Sequence, residues 1–98
     1  MTQINSAVEN MQLKIKEIRT LFGISVTKFS IMMGVTRQTI YNIENFKTKL
    51  AQVQFLAVCT LLDNLLDNHP DKEKALIAIW ERDFKKVQKK HVSRIKWF

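Results

Sequence analysis

The sequence predicts an all-α domain of five helices, and three observations carry that expectation. Only two glycines and one proline punctuate the 98 residues, too few for strand-and-turn architectures that reverse direction often. The apolar residues recur at steps of three and four, the spacing of one helix face. Hydrophobic residues make up 46% of the chain, enough to close a core around several helices, so disorder is not expected. The pattern divides the chain into a core over residues 1–68 and a C-terminal helix with a basic end over 69–98, which packs on the core or forms a dimer interface. No internal repeat, low-complexity segment or flexible linker interrupts it.

The first helix is marked by Val8, Met11, Ile15, Ile18, Leu21 and Phe22, with Gly23 as its C-terminal cap. Ser25 can cap a second, short helix whose buried side is Val26, Phe29, Ile31, Met32 and Met33, and which Gly34 interrupts after about two turns. Thr36 caps a third, in which Ile40 and Ile43 face inward while Arg37, Gln38, Tyr41, Asn42 and Asn45 occupy the other faces.

The fourth helix holds Val53, Phe55, Leu56, Val58, Leu61, Leu62, Leu65 and Leu66. A helix apolar almost all round belongs at the centre of a core or at a subunit interface. Pro70 suits the first turn of a fifth helix, with Asp71 and Glu73 well placed at its positive end. Leu76, Ile79, Trp80, Phe84 and Val87 continue at helical spacing, and His91 and Ile95 prolong the stripe, so this helix is expected to run far toward Phe98.

Sixteen Lys plus Arg against nine Asp plus Glu give a net charge of +7, a balance that favours encounter with polyanions. Residues 84–98 carry Lys85, Lys86, Lys89, Lys90, Arg94 and Lys96 without a carboxylate. Such an end adds backbone affinity for nucleic acid, meets an acidic partner or lipid surface, or is a solvated face. The apolar groups are too short to cross a bilayer, and the first residues lack the pattern of an export signal. A cytoplasmic protein is therefore expected, with Cys59 packed as a small hydrophobe among Leu56, Val58, Leu61 and Leu62. His69 and His91 have no ligand-like spacing to other donors, so neither a metal nor another cofactor is expected. No phosphate-cradling loop or nucleophile with its base is present, and an enzyme is not expected.

The informative stretch is residues 25–45. Two short helices around one glycine must bury apolar residues at set offsets, and Phe29, Met33, Val35, Ile40 and Ile43 meet them. Gly34 sits where the turn needs a positive φ. With Ile40 and Ile43 inward, the opposite face presents Arg37, Gln38 and, one turn on, Asn42. Arginine pairs bidentately with guanine, and glutamine and asparagine with adenine, in a major groove that admits an α-helix. The competing account is a structural helix pair with a solvated polar face.

Residues 11–66, and 36–49 above all, resemble the Cro/repressor-type (XRE-like, lambda-repressor-like) helix-turn-helix family. The resemblance implies a lambda-repressor-like five-helix DNA-binding domain, here with a basic C-terminal helical extension. It implies base contacts by Arg37, Gln38 and Asn42, supporting contacts by Thr36 and Thr39, and a phosphate grip by Asn45, Lys47, Thr48 and Lys49. Three positions depart from the family pattern: Val26 replaces a phosphate-binding glutamine, Ser30 an alanine, and Phe46 a glycine. Core packing is the first expectation for Phe46, with a wedge against the sugar-phosphate surface or a protein partner as alternatives.

The expected function is that of a bacterial or phage-type transcriptional regulator. It binds double-stranded DNA as a homodimer, most simply as a repressor, on the nucleoid when bound. The alternative is a protein-interaction module on the same fold, such as an antitoxin, antirepressor or adaptor, with the C-terminal helix as a candidate surface for a protein partner.

Overall fold

The computed structural model of the chain describes residues 2–82 and Trp97. Among them are five α-helices and no strand: α1 (Thr2–Leu21), α2 (Val26–Met33), α3 (Arg37–Glu44), α4 (Gln52–Asn68) and α5 (Glu73–Glu81), with a 3₁₀ turn at Pro70–Lys72 leading into α5. None of these helices is long and apolar enough to cross a membrane. The all-α expectation and the order of the elements agree with this architecture.

Helix α1 is the spine, packing on α3, α4 and α5. It buries Ala7, Met11, Ile15 and Ile18 along one stripe, and at about 1.5–3 kcal/mol for each large apolar side chain such a stripe outweighs the weak propensity of the helix itself. Its end is closed at Gly23 (φ +68), whose N–H donates to the Thr20 carbonyl at 2.9 Å while that of Ile24 reaches back to Arg19 at 3.1 Å. Helix α4 supplies Phe55, Val58, Cys59, Leu62 and Leu66, and α5 adds Leu76 and Trp80 to the same core. The Cys59 thiol is buried, and burial raises its pKa from 9.0 to about 12, as expected of sulfur packed as a hydrophobe. Val53 and Leu56, near the start of α4, stay exposed.

Two expectations are corrected. Ile31, expected on the buried side of α2, is 74% exposed, and Ser30 is buried instead, its hydroxyl donating to the Thr27 carbonyl at 2.7 Å. A small hydroxyl that satisfies itself within the helix can lie against a neighbour where a branched side chain would hold it off. Nor does the fifth helix run on toward Phe98: it ends at Glu81, and Arg82 is extended (ψ 122).

The cause of that ending lies on α1. The Trp80 carbonyl accepts from Asn10 Nδ2 at 2.8 Å and from Lys14 Nζ at 3.0 Å, and Lys14 also donates to the Arg82 carbonyl. These side chains occupy an acceptor that the next helical turn would have used. Trp97 then lies edge-on to Trp80 with ring centroids 5.0 Å apart, and its Nε1 donates to Asp63 Oδ1 at 3.3 Å. The expectations for Phe84, Val87, His91, Ile95 and the basic side chains of 84–96 lie outside the described residues.

Candidate nucleic-acid interface

Helices α2 and α3 are set by three local devices, all legible as sequence. Ser25 Oγ accepts from the Lys28 N–H at 3.0 Å and starts α2. Gly34 takes φ +71, and the N–H groups of Gly34 and Val35 donate back to Ile31 and Ser30 at 3.1 and 3.0 Å, closing α2 and turning the chain. Thr36 Oγ1 accepts from the Thr39 N–H at 3.1 Å and starts α3, with the two threonine hydroxyls 3.0 Å apart. Buried Phe29, Ile40 and Ile43 fix both helices to the core.

With Ile40 and Ile43 inward, the outward side of α3 carries Arg37, Gln38, Tyr41 and Asn45, all exposed, and half-buried Asn42. The structure thus places Arg37, Gln38 and Asn42 on one side of one helix, none of them in the core. Gln38 Nε2 donates to Asn42 Oδ1 at 3.0 Å, which ties the two amides together and leaves the Gln38 oxygen as an acceptor and the second Gln38 N–H and the Asn42 NH₂ as donors. Thr36 is exposed, Thr39 half-buried, and Lys47, Thr48 and Lys49 are exposed in the loop that follows.

The end of α3 departs from the sequence expectation. Phe46 does not pack in the core: it is 58% exposed, and it takes φ +61, the conformation that glycine adopts at the end of α2. Its N–H donates to Ile43 at 3.2 Å and that of Lys47 to Asn42 at 2.8 Å, the same closing pattern as at Gly34. The backbone bonds decide the conformation here, and they hold a bulky residue in a region that disfavours it. The ring borders a groove of about 610 Å³ shared with Val8, Glu9, Gln12, Leu13, Lys49, Leu50 and Gln52.

Three positioning residues were not singled out in the sequence. Gln12 on α1 donates to the carbonyls of Ile43 (2.9 Å) and Thr48 (2.7 Å) and accepts from the Leu50 N–H (3.0 Å), so one amide ties the last turn of α3 to the far end of the loop that follows it. Arg19 grips Glu44 with two bonds of 2.8 and 3.0 Å and donates a third to the Ile24 carbonyl at 3.0 Å. A local reading along the chain has no access to contacts spanning 25 to 38 residues. One signal was present: Glu44 is the only carboxylate between Glu17 and Asp63.

That carboxylate is turned inward, its side chain 5% exposed. Residues 18–62 therefore present Lys28, Arg37, Lys47 and Lys49 to solvent while their one acid is neutralised against Arg19. Glu9 of α1 is the carboxylate that borders the loop's groove. Among the described residues no group of His, Cys, Asp or Glu is arranged to hold a metal ion. No protein-family model, curated protein or solved structure matches the chain.

Proposed function

We propose that the chain is a sequence-specific double-stranded DNA-binding protein, a bacterial or phage-type transcriptional regulator on a lambda-repressor-like fold in which α2 and α3 form the helix-turn-helix. The observation that carries this reading is the outward side of α3. It bears guanidinium and amide groups in an exposed, carboxylate-poor surface that is rigidly backed by Gln12 and by the Arg19–Glu44 pair. An α-helix fits the major groove, and these are the groups that pair with its base edges.

In this reading the first two turns of α3 enter the groove, Arg37 facing a guanine and Gln38 with Asn42 facing an adenine. Thr36 and Thr39 support the helix start, while Asn45, Lys47, Thr48 and Lys49 meet phosphates and set register. One such helix covers only a few base pairs, so a homodimer on two half-sites about one turn apart supplies the specificity, and repression follows from occupying the site. The protein acts in the cytoplasm, on the nucleoid, by binding alone, with no catalytic step and no cofactor.

The test is selection of bound duplexes from a random pool, repeated with Arg37→Ala, Gln38→Ala and Asn42→Ala. Wild type is expected to enrich one motif, and each variant to lose discrimination at its own position, by about 1–3 kcal/mol per base pair. A pool that emerges unenriched, or three variants with the wild-type motif, would sink the reading. Exposed Ile31 and Phe46 favour a second one, a protein-interaction module on the same fold such as an antitoxin, antirepressor or adaptor. That module predicts equal treatment of all duplexes.

A further inference from the structure

One residue on the outward side of α3 is unlike its neighbours. Tyr41 is 47% exposed, and helical spacing puts it between Arg37 and Gln38 on one turn and Asn45 on the next. Every side chain beside it on that side is a guanidinium or an amide. Nearly half of the residue is left in water, so part of its apolar area adds nothing to the fold.

We propose that Tyr41 is a specificity-determining residue that reads a thymine through its 5-methyl group, a role that rests on the DNA-binding reading above. In the major groove the thymine methyl is the apolar feature among base edges that otherwise offer hydrogen-bond donors and acceptors. An aromatic ring placed among polar readers is complementary to that methyl group. The amides beside it point to the same base pair. With one Gln38 Nε2 hydrogen given to Asn42 Oδ1, the couple still offers the Gln38 oxygen as an acceptor beside amide hydrogens as donors, a set that complements adenine N6 and N7. Tyr41 and the amide couple together therefore select an A·T pair, the ring on one strand and the amides on the other.

The experiment takes the duplex selected by the full-length chain and replaces its thymines one at a time by deoxyuridine, which removes the methyl and keeps the pairing with adenine. Wild type is expected to lose about fourfold in affinity at one thymine of each half-site, the worth of one buried methyl group. Tyr41→Ala and Tyr41→Gln, both at an exposed position, should bind the two duplexes equally, whereas Tyr41→Phe should keep the fourfold difference. The proposal is overturned if wild type ignores every deoxyuridine, if the Ala and Gln variants keep the difference, or if the Phe variant loses it, which would assign the reading to the hydroxyl. Each of those results leaves the selected motif standing and removes only the role of Tyr41. A wild-type chain without sequence preference removes both.

Discussion

At the scale of single residues, Phe46 is where folding and the local sequence disagree. A non-glycine residue at positive φ costs about 1–2 kcal/mol, and here the exposed ring recovers only part of that through the groove beside α1. Phe46→Gly should stabilise the protein by about 0.5 kcal/mol, after the greater freedom of glycine in the unfolded chain is counted. In thermal unfolding that is a rise of about 2 °C. A fall in the midpoint instead would mean that the covered part of the ring clasps the loop to α1. Lys14 is the opposite case, a charge 4% exposed that is held by carbonyls at the end of α5. A lysine in an amphipathic stripe reads as a solvated flank, and only the helix packed across it gives the ammonium acceptors.

At the scale of elements, α3 is a short helix whose position depends on others. Eight residues are too few to be stable alone, so α3 depends on burying Ile40 and Ile43 and on the bonds that α1 sends to its end. The Arg19–Glu44 pair is nearly buried on both sides, and a buried pair broken on one side leaves the other charge stranded. Glu44→Ala should cost about 3 kcal/mol in urea unfolding, whereas Arg82→Ala should cost much less, because the Arg82–Glu17 pair is half in water. Similar costs for the two variants would show that the inner pair is as well solvated as the outer. The helix caps at Ser25 and Thr36 and the turn at Gly34 were legible because each is decided within four residues. The end of α5 was not, since the residues that stop it lie 66 to 70 positions away.

At the scale of the whole molecule, charge is the controlling quantity. The net charge is +7, and the 18–62 stretch shows four exposed cations with its one acid paired inward. Each cation that meets a phosphate releases counterions, contributing about −0.9 to the slope of log affinity against log salt. In the proposed function, Lys47→Gln with Lys49→Gln should flatten that slope by about 1.8 and weaken all duplexes alike, as measured by fluorescence anisotropy across a salt series. An unchanged slope would take the phosphate grip away from this loop. The six cations of 84–98 are best tested by substitution to glutamine, because truncation would also remove Trp97, which is buried against Trp80.

Residue spacing along the chain suffices for the all-α class, the two helix caps, the left-handed turn at Gly34 and the grouping of Arg37, Gln38 and Asn42 on one side of α3. Each follows from spacing or from the conformational preference of one residue, interactions that close within a turn or two of chain. Packing between distant segments sets the rest: Ile31 and Phe46 stand exposed, Gln12 and Arg19 hold the end of α3, and α5 stops at Glu81. Those outcomes depend on which donor or apolar surface arrives from a distant segment, and periodicity along the chain carries no record of it.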